Sequence, residues 1–148
     1  MRREEASPLL VIGVGNAWRH DDGAGPAVAE RLAERVATLI LPGEGTELLE
    51  AWREADRVIV VDAMQSGAPV GTVRRFDALE APLPARSFPH LSHSFGLPEA
   101  VEMARLLGGL PRELTVFGIE AGDLSFGRGL GPDVADAVGR LAGEIMER

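Results

Sequence analysis

The side chains of this sequence best suited to chemistry are a few carboxylates and histidines. Two adjacent carboxylates, Asp21 and Asp22, follow a glycine-rich turn in GVGNAWRHDDGAGPAV (residues 13–28). A third, Asp62, ends an apolar run, and His93 lies in the proline-rich segment that follows. Carboxylate oxygens and a neutral imidazole are common ligands of divalent transition metals. Asp22, Asp62 and His93 are therefore the candidate site.

Each of these residues also has a simpler interpretation. The aspartate pair could favour a helix N-terminus through the helix dipole, and Asp62 could be a turn residue at the end of a strand. His93 could be an ordinary loop histidine. His90 lies three residues before it and His20 precedes the aspartate pair, so either histidine is a rival to His93. Taken singly, none of these signals is strong, and the prediction depends on the elements that bring the residues together.

The sequence pattern predicts strands and helices in alternation. Continuous apolar runs that end at glycine or polar residues indicate buried strands, and amphipathic runs indicate helices. The predicted strands are residues 9–15, 37–41, 57–64, 71–76 and 113–120, and the predicted helices are 26–36, 47–56 with Thr46 as its N-cap, 96–109 and 131–148. The short, more polar fourth strand suits a sheet edge or an antiparallel position.

This alternation predicts the fold and the place of the site. We expect one α/β domain over residues 1–148, with three layers and a twisted, mostly parallel five-stranded sheet between helices. In such sheets ligands bind beyond the carboxyl ends of the strands. Asp22 follows the first strand and Asp62 ends the third, so both acidic positions face the same edge. The long segment with His93 could fold over that edge.

The composition excludes several classes of function. The net charge of −8 disfavours nucleic acid, which needs clustered basic side chains. The chain has no cysteine, lysine or tyrosine, which removes thiol catalysis, thiolate zinc sites and Schiff-base chemistry. No apolar stretch approaches the roughly 20 residues of a membrane span, and the N-terminus is not a secretory signal. We expect a cytoplasmic protein that does not insert into membranes.

A nucleotide-binding domain is one alternative that the first loop raises. Gly13 and Gly15 resemble the opening of a dinucleotide fingerprint, but Trp18 stands where the third glycine belongs. No acidic residue ends a second strand about 20 residues later, as such a site requires. Protection of the fold by NAD or ATP would be the sign of this alternative.

Several motifs together resemble one enzyme family, the hydrogenase maturation proteases. These endopeptidases trim the C-terminus of the large subunit of nickel-iron hydrogenases. The resemblance is carried by GVGNAWRHDDGAGPAV (13–28), by VIVVDAM (58–64) with GAPVGTVRRF (67–76), by SHSFGLPEAVEMARLL (92–107), and by LTVFGIE (114–120). It covers nearly the whole chain in the family's order, and the family's twisted, mostly parallel sheet agrees with the predicted fold.

The resemblance implies a metal site and a substrate. In the family, the positions of Asp22, Asp62 and His93 bind the metal. The partner it implies is a nickel-iron hydrogenase large-subunit precursor, whose nickel the protease recognises; other divalent ions could substitute for nickel. Aspartate at position 22 replaces the glutamate of many members, and its side chain is one methylene shorter.

The resemblance also implies substrate contacts and a reaction. Contacts with substrate are expected from Gly15, Asn16 and Asp21 in the first motif. Glu44 and Thr46 are expected to contact substrate too, although LPGEGTELL departs from the family's Asp-Gly-Gly-Thr loop. No serine lies in a nucleophile-elbow pattern, so the attacking group is a water activated by the metal or by Asp22 or Asp62 as general base. The alternative function is that of a nickel-binding maturation chaperone without cleavage activity.

Overall fold

Strands and helices alternate along the described chain, except that the third and fourth strands follow each other without a helix between them. The structure, a computed structural model, describes residues 8–88 and 95–147. Its strands are β1 (Leu9–Val14), β2 (Ala37–Leu41), β3 (Arg57–Met64), β4 (Val73–Asp77) and β5 (Glu113–Glu120), and its α-helices are α1 (Ala24–Leu32), α2 (Gly45–Trp52), α3 (Leu97–Leu107) and α4 (Pro132–Met146). Short 3₁₀ turns lie at His20–Gly23 and Ala85–Ser87. None of the helices among these residues is long and apolar enough to cross a membrane.

All five strands form one sheet in the order β2-β1-β3-β5-β4. Strands β2, β1, β3 and β5 are parallel to their neighbours, and β4 pairs with β5 in the antiparallel sense. The predicted α/β fold with a mostly parallel five-stranded sheet is thus confirmed, as is the antiparallel edge position of the fourth strand. Because the four parallel strands run in one direction, the loops that follow them meet at one edge, which we call the carboxyl edge.

Helices cover both faces of the sheet and divide the core in two. On one face, α2 and α3 pack over a cluster that includes Val60, Met64 and Trp52. On the other face, α1 and α4 pack over a cluster that includes Val61 and Phe117. Neighbouring residues of β3 point to opposite clusters, as the two-residue period of a strand requires. The continuous apolar runs of the sequence are explained by this burial on both faces.

The starts of two helices and the position of Asp62 differ from the prediction in ways that affect the site. Helix α1 begins at Ala24, before Pro26, and directly continues the 3₁₀ turn of the aspartate pair. Helix α2 has Glu44 as its N-cap, with Thr46 inside the helix. Strand β3 spans residues 57–64 as predicted, but Asp62 does not end it, because the pairing with β5 extends to Met64. Asp62 therefore belongs to a strand and not to a loop.

Glycine allows α1 to press directly against the sheet. A Cβ placed on Gly25 would overlap the carbonyl oxygen of Val61 and lie 2.5 Å from that of Val14. A Cβ placed on Gly13 would overlap the backbone of Gly25 in turn. This close approach fixes the start of α1, and with it the preceding aspartates, against β1 and β3.

We therefore expect Gly25→Ala to destabilise the fold by about 3 kcal/mol or more, because backbone atoms on both sides must move. Gly143→Ala is the matched control. It lies in α4, where an added Cβ meets nothing within 4 Å, so alanine should leave stability unchanged or raise it by up to about 1 kcal/mol. Urea unfolding of the three proteins measures both effects. Equal midpoints for wild type and Gly25→Ala would contradict the close-packing argument.

Candidate active site

Asp62 lies on β3 at the point where the neighbouring strand ends. The pairing of β1 with β3 stops at Gly13 opposite Val61, so Asp62 is the first residue of β3 beyond it. The alternation of β3 places Asp62 on the same face as Val60 and Met64, beneath α2 and α3. Its side chain is 9% exposed. A carboxylate thus stands almost buried at the carboxyl edge, in the space that β1 leaves.

Asp22 is brought to this edge by a tight loop after β1. Gly15 has a φ of 147°, and a Cβ there would overlap the carbonyl oxygen of Asp22, so the loop closes only around glycine. The N–H of Asn16 donates to Oδ2 of Asp22 at 2.8 Å, and Oδ1 of Asn16 accepts from the N–H of Trp18 at 2.9 Å. Gly15 and Asn16, both predicted to contact substrate, therefore shape the loop that holds Asp22.

Asp22 and Asp62 interact electrostatically. Burial raises the pKa of Asp62 well above 3.8, its ordinary value, and the nearby charge of Asp22 raises it further, although a hydrogen bond from the backbone of Ala63 opposes them. Burial also raises the pKa of Asp22, against the lowering effects of the Asn16 hydrogen bond and the Arg19 charge. No side chain among the described residues forms a salt bridge with Asp62. The two carboxylates therefore oppose each other's ionisation.

This carboxylate pair has the donor chemistry of a divalent cation site. A cation would relieve the repulsion and supply a countercharge to Asp62, which has no salt bridge among the described residues. Within residues 8–88 and 95–147, no three His, Cys, Asp or Glu side chains form a cluster able to hold a metal. The structure therefore brings two of the predicted ligands together, and the third, His93, lies outside the described residues, as does His90.

The flanks of the histidine segment are described and lie at the carboxyl edge. The N–H of Gln65, just after β3, donates to the carbonyl of Ser87 at 2.8 Å. The N–H of Gly45 donates to the carbonyl of Phe95, also at 2.8 Å, at the start of α2 after β2. Strand β1 lies between β2 and β3 in the sheet. The two flanks of residues 89–94 are thus fixed on either side of the strand that leads to Asp22.

The third histidine, His20, is engaged elsewhere. Its φ of 45° turns the chain in an orientation unusual for a residue with a side chain. Its Nδ1 lies 3.0 Å from the carbonyl oxygen of Gly129, and a Cβ on Gly127 would overlap its ring. His20 therefore packs against the loop between β5 and α4.

The side chain of Asp21 has different hydrogen-bond partners from that of Asp22. Its side chain is 2% exposed. Oδ2 accepts from the N–H groups of Gly122 and Asp123 at 2.8 and 3.0 Å, and Oδ1 accepts from the N–H of Gly131 at 2.8 Å. Gly131 is the N-cap of α4, so this carboxylate also satisfies a free amide at a helix end. The predicted contact of Asp21 with substrate does not fit these surroundings.

Glu44 and Thr46 form the start of α2. The Glu44 carboxylate accepts from the N–H of Glu47 at 3.2 Å and from the Thr46 hydroxyl. A Cβ on Gly45 between them would overlap the ring of Phe95. Glu44 is half-buried and Thr46 is exposed. Both residues thus lie beside one flank of the histidine segment, and their predicted contact with substrate stays a prediction.

Comparison with known proteins identifies the family. Residues 27–148 match the model of the hydrogenase maturation proteases. The chain belongs to the hydrogenase maturation protease family. A hydrogenase expression/formation protein, HupD, from Thiocapsa roseopersicina is 30% identical over 137 residues, which cover 88% of this chain and 62% of that protein. The chain thus spans less than two thirds of this relative's length.

Solved structures of the same family share the fold. The hydrogenase maturating endopeptidase HybD from E. coli superimposes with a TM-score of 0.74 at 25% identity, covering 95% of this chain and 90% of that one. The NiFe hydrogenase maturation protease HybD from Thermococcus kodakarensis gives a TM-score of 0.70 at 26% identity, covering 95% and 97%.

One acidic residue of this maturation protease fold was not singled out from the sequence. Glu120, at the end of β5, is 4% exposed. Its carboxylate accepts from the hydroxyl and N–H of Ser66 at 2.7 and 2.9 Å and from the N–H of Gly67 at 3.2 Å. It therefore anchors the loop that follows Asp62. Its position at the end of an apolar strand, the same signal that identified Asp62, could have revealed it.

We expect Asp21→Asn to lower stability by about 2 kcal/mol, because an amide retains only one acceptor oxygen for three backbone donors. The melting temperature should fall by about 4 to 8 °C. Asp136→Asn is the control, since Asp136 forms only an exposed pair with Arg140 on α4, and its melting temperature should change by about 1 °C or less. A melting temperature of Asp21→Asn equal to that of wild type would show that the three hydrogen bonds make no net contribution to stability.

Asp62→Asn should have the opposite effect in metal-free buffer with EDTA. The folded-state pKa of Asp62 is raised, so the unfolded chain loses this proton at a lower pH than the folded protein does, and stability falls as the pH rises from 3.8 to the folded-state pKa. Asparagine removes the charge and should raise the melting temperature at pH 7 by about 3 °C. The gain should shrink as the pH falls and vanish below 3.8, where folded and unfolded states are both protonated. A gain that is independent of pH would contradict this explanation.

Proposed function

We propose that the chain is an endopeptidase that removes the C-terminal extension of a nickel-loaded hydrogenase large-subunit precursor, acting in the cytoplasm as a single domain over residues 1–148. The observation that carries the proposal is the almost buried pair of Asp22 and Asp62 at the carboxyl edge of a hydrogenase maturation protease fold. The similar structures include a hydrogenase maturating endopeptidase and a NiFe hydrogenase maturation protease.

In this proposal the nickel belongs to the substrate. Asp22, Asp62 and His93 bind it, and other divalent ions can occupy the same ligands. Nickel(II) accepts carboxylate and imidazole donors and favours more than three of them, so positions remain for donors from the precursor. Support for His93 comes from the flanks of its segment, since Ser87 and Phe95 are hydrogen-bonded on either side of β1.

The carboxylates also suit the chemistry of peptide hydrolysis. Water adds to the carbonyl carbon of the scissile bond, one of its protons passes to a carboxylate, and the C–N bond breaks as the amine nitrogen takes up a proton. Buried carboxylates with raised pKa values accept and return protons nearer neutral pH than exposed ones do. We assign this proton transfer to Asp22 or Asp62. Asn16, Glu44 and Thr46 line the same edge and are the proposed substrate contacts.

The decisive experiment incubates the protein with two batches of one precursor, nickel-loaded and nickel-free, and follows loss of the C-terminal peptide by mass spectrometry. Wild type should cleave the loaded batch only, because nickel supplies the link between the two proteins. Asp22→Asn and Asp62→Asn should cleave it at least about 100-fold more slowly. Asp136→Asn is the matched control and should cleave at the wild-type rate.

Each other result has a definite meaning. Binding of the loaded precursor without any change in its mass would replace the endopeptidase by a nickel-binding chaperone. Equal cleavage of both batches would refute the dependence on nickel. Wild-type rates in Asp62→Asn would remove Asp62 from the reaction, because the variant keeps the size of the side chain.

A further inference from the structure

The loops after β1 and β5 are joined into one unit beside the candidate site. The N–H of His20 donates to the carbonyl of Gly127 at 2.9 Å, and the N–H of Gly127 donates to the carbonyl of Trp18 at 2.8 Å. Arg19 and Gly127 thereby form an isolated β-bridge. The three hydrogen bonds of the Asp21 carboxylate also connect these two loops. This backbone is therefore held in one conformation before any partner arrives.

Two large aromatic side chains project from this unit, each stacked on an arginine. Trp18 is 60% exposed and Phe126 is 77% exposed. The Arg128 guanidinium lies 4.5 Å from the centre of the Trp18 ring, and the Arg19 guanidinium lies 4.4 Å from that of Phe126. We call Trp18, Arg19, Phe126 and Arg128 the Trp–Arg surface. Exposed aromatic rings on a rigid backbone are costly in water unless a partner covers them.

The charge of this surface is opposite to that of the chain as a whole. The net charge is −8, yet neither arginine of the surface forms a salt bridge with a carboxylate in the part of the chain that the structure describes. Both guanidinium groups therefore keep donors for a partner, and a guanidinium binds a carboxylate through two parallel hydrogen bonds.

The surface is continuous with Asp22. The backbone of Trp18 is hydrogen-bonded to Asn16, whose own N–H is hydrogen-bonded to Asp22. The hydrogen bonds from Trp18 through Asn16 to Asp22 thus place the surface next to one carboxylate of the pair.

We propose that the Trp–Arg surface binds a segment of the precursor that carries carboxylate and aliphatic side chains, next to the bond that is cut. The identity of this occupant rests on the proposed function. Tryptophan and arginine are the residues most enriched among those that dominate protein interfaces, and a backbone fixed in advance reduces the entropy lost on binding. The carboxylates pair with Arg19 and Arg128, and the aliphatic side chains pack on the rings.

The two tryptophans give the test an internal control. Trp18 is exposed, whereas Trp52 is 1% exposed in the core, so their indole N–H signals report the surface and the fold separately. The probes are three blocked dodecapeptides, titrated into ¹⁵N-labelled protein in 50 mM NaCl. The first contains glutamate, leucine and glycine. In the second, lysine replaces glutamate, and in the third, serine replaces leucine.

The glutamate–leucine peptide should shift the Trp18 signal to saturation and leave the Trp52 signal in place. Its Kd should be at least about tenfold lower than that of either other peptide, and it should weaken at 500 mM NaCl, where charges are screened. Arg128→Gln and Phe126→Ser should each weaken binding about tenfold. The controls are Arg53→Gln and Leu107→Ser, which change an exposed arginine and an exposed leucine elsewhere and should bind as wild type.

Three results would overturn the proposal: equal binding of the lysine peptide, a Trp18 signal that no peptide moves, or a Trp18 shift on diluting the protein alone, which would assign the surface to a second copy. Unmoved Trp52 signals show that the variants are folded. Because peptide binding is measured without cleavage, its failure is distinct from failure of the endopeptidase function. If the peptide binds but the precursor is not cleaved, the proposed endopeptidase function is refuted and the proposed role of the Trp–Arg surface is supported.

Discussion

Two carboxylates of like charge, Asp22 and Asp62, meet where burial disfavours the ionised form of both. Several features of the fold bring these two carboxylates to the same edge of the sheet. Strand β3 extends beyond β1 to make room for Asp62, and the turn at Gly15 folds the loop back so that Asp22 reaches the same edge. A fold under selection for stability alone would not keep such a pair. The cost to stability fits the proposal that the pair binds a cation.

The adjacent aspartates show how surroundings, and not residue type, decide a role. Asp21 is enclosed by backbone N–H groups, which solvate its charge and make it part of the framework. Asp22 has one such hydrogen bond and is only half-buried, so it keeps an oxygen for another partner. The first carboxylate holds the loop that carries the second. The position of the Asp22 carboxylate therefore depends on a neighbouring carboxylate whose oxygens are already hydrogen-bonded.

The sequence predicted the features that depend on local patterns of residues. It did not predict the roles of side chains whose partners are backbone groups far along the chain. Apolar strands and amphipathic helices predicted the sheet and brought Asp22 and Asp62 to one edge. The roles of Asp21 and Glu120 could not be read in the same way, because their partners are amide groups far along the chain, which carry no side-chain pattern. The capping of α2 by Glu44 was missed because threonine is the commoner cap. The ligand role of His93 stays a prediction.

The hydrogen bonds of Asp21 have a consequence for how the protein is made. They join residues separated by 101, 102 and 110 positions. As the chain leaves the ribosome, the β1–α1 loop emerges early, but its anchoring amides emerge only after β5. Contacts between such remote positions form late, since a long stretch of chain must first be ordered. The acidic edge is thus completed only after β5 and the start of α4 have been synthesised.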